Sequence, residues 1–143
     1  MGMQPKKKVL VGGCFDILHY GHIHFLKNAR ALGDHLTIAL ESDKNIKRLK
    51  GGSRPIHDQE KRREMLESLN FVDEVIILGP KMTDGDYEKL VIELKPHIIA
   101  VTAGDPILKK KEGHAKKVGA SVIEIPKIKV ASTSQIAKLL ELE

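Results

Sequence analysis

Two histidines, His19 and His22, have the residue type and spacing best suited to chemistry on a phosphate. They follow an apolar run at residues 9–11 and the glycine pair Gly12 and Gly13, and a helical spacing of apolar residues begins beside them. The N-terminus of a helix attracts anions through its free N–H groups and its dipole. Imidazoles placed there can donate hydrogen bonds to phosphoryl oxygens and stabilise charge that develops during a reaction. The pair therefore predicts a phosphate-handling site where a strand meets a helix.

The other interpretation of these histidines is structural. An isolated histidine on an apolar helix face is more often a packed core residue than a ligand. For His19 and His22 the strand, the glycine turn and the helix all fall where a phosphate site needs them, which favours function. His24 has no such neighbours and is predicted to be a surface or packing residue. Asp16 is predicted to shape the turn or cap the helix rather than to act as a base.

Length and composition limit the classes of protein that the chain can belong to. Its 143 residues predict one domain, residues 1–143, with residues 1–5 as a loose tail. A net charge of +5 suits anionic small substrates, and no basic–aromatic interleaving indicates a nucleic-acid partner. No apolar run approaches transmembrane length, so no membrane partner is expected. The single cysteine, Cys14, is consistent with a reducing, cytoplasmic location.

Alternating strand and helix patterns define the fold class. The sequence predicts strands at residues 9–11, 35–40, 72–78, 97–101 and 120–125, and helices from residue 21 and at 58–69, 86–95 and 108–118. This order predicts an α/β protein with a doubly wound parallel sheet of about five strands and helices on both faces. The first strand is not followed by G-x-G-x-x-G, and no G-K-[ST] is present, which excludes a dehydrogenase fingerprint and a P-loop.

A basic stretch at residues 44–63 carries eight Lys or Arg side chains against two acids. Such a run is ordinarily a solvated face. Here Gly51 and Gly52 stand beside the cations, and this pattern predicts a mobile loop that closes over phosphates. Arg48 and Lys50 are the alternatives for the phosphate contact, and Lys50 is favoured because it borders the glycines. In the helix that follows, Asp58 is the expected N-cap.

Two further groups come at the ends of late elements. Asp105 follows a glycine after the fourth strand, at the edge of a parallel sheet where ligands bind, although it can equally be a turn acid. Ser132, Thr133 and Ser134 open the last helix, where hydroxyls and free amides can bind a triphosphate or only cap the helix.

Residues 13–22, Gly-Cys-Phe-Asp-Ile-Leu-His-Tyr-Gly-His, resemble the first signature of the cytidylyltransferase-like nucleotidyltransferases. That signature is H-x-G-H after a strand and a G-x-F-D turn, and residues 126–136 resemble the second signature. The resemblance implies a Rossmann-like fold with a nucleotide across the strand ends. It also implies transfer of a nucleoside monophosphate from a triphosphate to a phosphorylated small molecule, with release of pyrophosphate. ATP as substrate, Mg²⁺ bound with it and a homodimer are further implications.

The resemblance also implies roles for individual residues. His19 and His22 would stabilise the reacting phosphate, Lys50 and Arg62 would hold the other phosphates, and no protein ligand for the metal is expected. The implied nucleotide-binding set is Gly13, Cys14, Phe15, His19, His22, Asp105, Ala131, Ser132, Thr133 and Ser134. The chain departs from the family in having Lys127, Lys129 and Val130 where many members have Arg and Glu-Gly.

Three subfamilies of these nucleotidyltransferases share the same small single-domain architecture. One transfers AMP to FMN, one transfers CMP to glycerol 3-phosphate, and one transfers AMP to heptose 1-phosphate for lipopolysaccharide cores. Residues 49–65 and 95–100 look nearest to the archaeal FAD synthases and next to the heptose enzymes, so AMP transfer to FMN is the favoured prediction. A nucleotide-binding sensor or partner module without turnover is the non-enzyme alternative.

Overall fold

The computed structural model describes residues 6–129 and 132–140. Strands and helices alternate along most of the chain, and two helices follow the second strand. The elements are β1 (Lys8–Gly13), α1 (Tyr20–Ala31), β2 (His35–Leu40), α2 (Asp43–Lys50), α3 (Gln59–Glu67), β3 (Glu74–Ile77), α4 (Asp84–Leu94), β4 (Ile98–Thr102), α5 (Leu108–Val118), β5 (Ser121–Ile125) and α6 (Thr133–Leu139).

The five strands form one parallel sheet in the order β3-β2-β1-β4-β5. The predicted α/β fold with a doubly wound parallel sheet is therefore confirmed. In the register of the sheet, Val9 of β1 lies between Leu36 of β2 and Ile98 of β4. The strand order reverses between β1 and β4, and in sheets of this kind ligands bind outside the carboxyl ends of the strands at that reversal.

Helices cover both faces of the sheet. Alternate residues of each strand point to opposite faces, so each strand contributes side chains to both layers of the core. Val9 and Val11 pack with Leu26 of α1 and Leu66 of α3, and all four side chains are fully buried. Leu10 packs on the other face with Val91 of α4 and Ala115 of α5. Burying one such large aliphatic side chain contributes about 1.5–3 kcal/mol, so β1, covered on both sides, is a rigid platform for the residues that follow it.

The basic stretch is the part of the fold that the sequence pattern described wrongly. Residues 44–50, expected in a mobile loop, belong to the helix α2 (Asp43–Lys50). The Ser42 side chain accepts a hydrogen bond from the Asn45 N–H and caps this helix, and Ile46 anchors it in the core. A single buried apolar residue among cations gives a weak periodic signal, which is why the helix was missed. Gly51, with φ of 106°, ends the helix.

Elsewhere the differences are confined to element ends. Helix α3 is capped by Asp58 as predicted, since the carboxylate accepts from the Lys61 N–H at 2.9 Å. It ends at Glu67 rather than at residue 69, and β3 is shorter than expected. Within the described residues, no helix has the length and apolar character that crossing a membrane requires.

Candidate active site

A cleft of about 450 Å³ opens at the carboxyl end of β1 and β4, where the strand order reverses. The backbone of Gly12, Gly13 and Cys14 forms part of its wall. The polar and charged side chains that line it are His19, His22, His24, Lys50, Thr102, Asp105, Lys111, Lys127 and Ser132. The fold thus brings the two histidines together with Lys50, Asp105 and Ser132, which are distant in the sequence.

Hydrogen bonds to the backbone fix the orientation of both histidines. His19 is the N-cap of α1, and its Nδ1 accepts from the Gly21 N–H at 3.0 Å. The Nδ1 of His22 accepts from the His19 N–H at 3.4 Å. The two rings stack with their centroids 3.9 Å apart. Because each Nδ1 is an acceptor, the proton of each neutral ring lies on Nε2, and each ring offers one N–H donor.

The electrostatic environment keeps these rings neutral. Burial lowers the pKa of His22 to about 4, and the neighbouring His19 and Lys50 add to this effect. Burial also lowers the pKa of His19. Near pH 7 the pair therefore consists of two uncharged donors rather than two imidazolium cations.

The turn between β1 and α1 has an unusual backbone. Phe15 and Ile17 have φ of 48° and 50°, a left-handed conformation that non-glycine residues seldom adopt. The buried Phe15 ring lies edge-on to His22 with centroids 5.4 Å apart. A Cβ on Gly13 would come within 2.8 Å of the Phe15 ring. Glycine at position 13 thus makes room for the ring that supports His22.

Asp16 holds this turn from inside the protein. Its carboxylate accepts from Arg54 Nε at 2.9 Å, from the Ile56 N–H at 2.7 Å and from the His57 N–H at 3.0 Å. Burial alone would raise the pKa of Asp16, but the hydrogen bonds from His57, Ile56 and Arg54 outweigh it and lower the pKa. The predicted turn-shaping role agrees with these contacts, whereas the predicted alternative of a cap for α1 is wrong because His19 caps that helix.

Arg62 lies behind the turn rather than on the cleft. Its side chain is buried and donates to the carbonyl oxygens of His57 at 3.0 Å and Cys14 at 2.8 Å, and to Asp43 Oδ1 at 2.8 Å. The structure therefore does not bring Arg62 together with His19 and His22 as a wall of the cleft. Its guanidinium instead connects α2, α3 and the turn.

The start of α6 divides between the cleft and the turn. Ser132 caps the helix by accepting from the Gln135 N–H at 3.2 Å, and it lines the cleft. The Thr133 hydroxyl donates to the Asp16 carbonyl at 2.9 Å, and the Ser134 hydroxyl lies 3.4 Å from Arg54 Nη1. Ala131, which was also predicted to bind nucleotide, lies outside the described residues.

The cationic side chains near the cleft differ in their surroundings: Lys50 and Arg48 line different cavities, and Lys111 is paired with Asp105. Lys50 ends α2 and lines the cleft, while Arg48 lines a second cavity described below. Asp105 accepts from Lys111 Nζ at 2.6 Å and from the Ile107 N–H at 2.9 Å. The carboxylate of Asp105 is thus paired within the protein while it faces the cleft.

Sequence reasoning missed three polar residues of the cleft, His24, Thr102 and Lys111. His24 was expected at the surface or in packing, but it lines the cleft two residues beyond His22. Lys111 belongs to a lysine-rich helix in which no pattern distinguishes it from its neighbours. Lys111 reaches the cleft because of the way in which α5 packs against the sheet, which the sequence pattern does not show.

A second cavity of about 530 Å³ lies on the opposite face of the same sheet edge. Its lining is mainly apolar, and its polar or charged side chains are Glu41, Asn45, Arg48, Asp84, Tyr87, Lys110, Lys111 and His114. Gly12, Gly13 and Lys111 line both this cavity and the cleft. The end of β1 therefore lies between the two cavities and borders both. We call Gly12, Gly13 and Lys111 the shared strip.

One cluster in the described part of the chain has the composition of a metal site. The ligand atoms of Asp84, Glu88 and His114 all lie within 4.8 Å of one another. Asp84 and His114 line the second cavity, so the cluster is outside the cleft. Hydrogen bonding between His114 Nε2 and Asp84 Oδ1 at 3.1 Å accounts for part of this arrangement without an ion.

Comparison with known proteins assigns the family. Residues 10–138 match the model of the cytidylyltransferase-like family. The FAD synthase of Thermococcus sibiricus is 42% identical over 142 residues, which cover 95% of this chain and 93% of that protein. The bifunctional protein HldE of Aliarcobacter butzleri is 46% identical over 100 residues, which cover 70% of this chain but 20% of that longer protein.

A solved structure agrees with both the fold and the family. The lipopolysaccharide core biosynthesis protein of Thermoplasma volcanium is 31% identical, covers 89% of this chain and 100% of its own, and superposes with a TM-score of 0.70. The family-model match at residues 10–138 spans the first strand to the last helix, a range that contains His19 and His22. The chain therefore belongs to the cytidylyltransferase-like family and is a nucleotidyltransferase.

Proposed function

We propose that the protein transfers AMP from ATP to FMN, giving FAD and pyrophosphate. The observation that carries this proposal is the stacked pair of neutral imidazoles, His19 and His22, in a cleft at the sheet reversal. Similarity to an FAD synthase over 95% of the chain supports FMN as the acceptor.

The reaction needs stabilisation of charge more than it needs a base. A phosphate oxygen of FMN attacks the α-phosphorus of ATP in line, the new P–O bond forms, and the bond to the β-phosphate oxygen breaks. The acceptor phosphate is already anionic near pH 7, so no group has to remove a proton from it. The Nε2–H groups of His19 and His22 donate to the oxygens on which charge accumulates.

Other groups facing the cleft do not compete as nucleophiles. Burial raises the pKa of the Cys14 thiol, so the thiolate is disfavoured. The carboxylate of Asp105 is paired with Lys111. Catalysis by positioning and electrostatics is consistent with this set of residues.

The remaining predicted residues receive binding or positioning roles. Lys50 contacts the β- and γ-phosphates, and the backbone N–H groups of the turn at Gly13, Cys14 and Phe15 face the α-phosphate. Asp105 lies by the ribose. Ser132 contacts the triphosphate, a role also assigned to Ala131, Thr133 and Ser134. Arg62 is better described as a positioning residue, because its three hydrogen bonds hold Cys14, His57 and Asp43.

Mg²⁺ is expected to enter with ATP. Of the described side chains lining the cleft, Asp105 is the carboxylate, and its ion pair with Lys111 makes it a poor ligand. The cleft therefore does not provide a preformed cation site of the kind that several free carboxylates would make. We assign the metal ligands to phosphate oxygens and water.

A heptose 1-phosphate adenylyltransferase is the second candidate, because HldE and the Thermoplasma protein are also similar. Pyrophosphate release decides between the candidates when ATP or CTP is supplied with Mg²⁺ and each of FMN, heptose 1-phosphate and glycerol 3-phosphate. Release with ATP and FMN alone supports the proposal. Release with heptose 1-phosphate, or with CTP and glycerol 3-phosphate, would overturn it. Nucleotide binding without release from any pair would favour a sensor or partner module.

A homodimer and a cytoplasmic location stay part of the proposal. The single cysteine is consistent with a reducing compartment. Light scattering on the purified chain measures the oligomeric state directly, and a monomer mass at assay concentration would contradict the dimer.

A further inference from the structure

We propose that the second cavity is the binding site for the flavin ring of the acceptor, and that Glu41, Asn45 and Arg48 recognise the pyrimidine edge of that ring. This inference rests on the proposed function and adds the residues that would select a flavin over a sugar phosphate.

The position of the cavity suits an acceptor. It lies across the end of β1 from the cleft, and the two spaces share Gly12, Gly13 and Lys111. A ligand whose ring occupies the cavity can extend its phosphate to this shared strip. There the phosphate meets the nucleotide from the other side of the sheet edge, next to Lys111, whose ammonium is held by Asp105.

The lining of the cavity suits a flat apolar ring. Its floor is the second face of the sheet, with Leu10, Ala39 and Ile99. Leu49 and Ile107 are 64% and 48% exposed at its margins, so a bound ring would remove apolar surface from water. A heptose, which carries hydroxyl groups on every side, would leave those hydroxyls facing apolar carbon.

A hydrogen-bonded network holds one polar edge in this apolar space. Glu41 accepts from the Tyr87 hydroxyl and from Asn45 Nδ2, each at 2.5 Å. Arg48 Nη2 donates to Asn45 Oδ1. Burial and the contact with Glu41 raise the pKa of Tyr87, so the phenol remains a donor to the carboxylate. The Glu41 carboxylate is thereby held in place beside the cavity.

The network has the donors and acceptors that the ring edge requires. The pyrimidine edge of a flavin presents an N–H between two carbonyl groups. A carboxylate has about four acceptor positions, so Glu41 can accept the flavin N–H in addition to Tyr87 and Asn45. The second N–H of Asn45 and the free N–H groups of Arg48 can donate to a neighbouring carbonyl. A sugar phosphate has no such alternation at fixed spacing.

Two probes test the inference with the full chain. The first is FMN methylated at the pyrimidine N–H, compared with FMN in quenching of flavin fluorescence and in FAD formation. The second is Leu49→Glu, which puts a charge at the cavity margin on an already exposed position, with Leu139→Glu as control because Leu139 is 80% exposed and does not line the cavity. We expect at least tenfold weaker binding of the methylated flavin. Leu49→Glu should raise the Kd and KM for FMN at least tenfold while the KM for ATP stays within twofold, and Leu139→Glu should change neither.

The outcomes separate this inference from the proposed function. FAD formation with unchanged KM for the methylated flavin and for Leu49→Glu would overturn the cavity assignment and leave the activity standing. Failure of the wild-type chain to quench FMN fluorescence, together with pyrophosphate release on heptose 1-phosphate, would overturn both. Methylated flavin that binds as tightly as FMN, with Leu49→Glu alone impaired, would retain the cavity but remove Glu41, Asn45 and Arg48 from recognition, and so overturn the inference as stated.

Discussion

Arg54 and Asp16 form a buried ion pair, with Nε and Oδ2 2.9 Å apart, although 38 residues separate them in the sequence. Each side chain is 1% exposed. The pair joins the turn after β1 to the segment before α3. Because the turn also positions the residues that lead into His19, the histidine pair depends on a contact made far along the chain.

Replacing Asp16 should affect both folding and turnover. Asp16→Ala leaves a buried guanidinium without its carboxylate and two backbone N–H groups without an acceptor, and a broken buried pair typically costs about 3–5 kcal/mol. Urea denaturation measures this loss of unfolding free energy. Asp58→Ala is the matched control, since removing an exposed N-cap carboxylate should cost about 1 kcal/mol. Equal losses in the two variants would show that the Arg54 pair adds nothing special.

Removing the His22 ring should abolish most turnover and leave the fold intact. His22→Ala takes away one Nε2–H donor and one wall of the stacked pair, so we expect kcat to fall by about two orders of magnitude or more. Steady-state pyrophosphate release measures kcat, and circular dichroism checks the fold. His97→Gln, at the opposite end of the sheet, should retain wild-type kcat. Near-normal turnover of His22→Ala would remove this residue from the mechanism.

Lys50 should act on both the nucleotide and the histidine. Lys50→Met is expected to raise the KM for ATP about tenfold, equivalent to about 1.4 kcal/mol of binding. It should also raise the pKa of His22, because the Lys50 charge is one of the groups that lower it. An NMR titration of the His22 ring measures that pKa. Lys47→Met, one turn earlier on α2 and away from the cleft, should change neither quantity; similar changes in both variants would indicate a general charge effect.

The free energy of unfolding should depend on pH between about 6.5 and about 4, because His22 has a lowered pKa in the folded protein. The folded-state pKa of about 4 lies below the ordinary value of 6.5, so the unfolded chain binds the proton more tightly. The free energy of unfolding therefore decreases as pH falls from 6.5 towards 4, by at most about 1.4 kcal/mol per pH unit from this group. Urea denaturation at pH 7, 6 and 5 should show a steeper decline for the wild type than for His22→Gln. Parallel declines would mean that His22 titrates normally.

The sheet was predictable because its strands are apolar segments bounded by turn residues. The predicted strand at residues 35–40 and the helix at 108–118 have the observed bounds, since β-branched runs and a terminal glycine mark them clearly. Helix α2 escaped prediction because Ile46 is its one buried residue and most of the others are charged. Its cap at Ser42 was the available signal.

The site was less predictable than the fold because sequence spacing does not show which way a side chain points. His19 and His22 were identifiable from the turn that precedes them. Arg62 looked equally suitable for binding phosphate. In the folded chain, however, its guanidinium donates hydrogen bonds to Cys14, His57 and Asp43. The second cavity could not be inferred at all, because residues from six elements and their connections converge only after the sheet forms.

The strip at Gly12 and Gly13, with a binding space on each side, has a kinetic consequence. Substrates that approach from opposite faces do not obstruct each other, so either can be first, and initial-rate patterns should be those of random addition. FAD would span both spaces and should inhibit competitively against ATP and against FMN. Pyrophosphate, confined to the cleft, should compete with ATP alone.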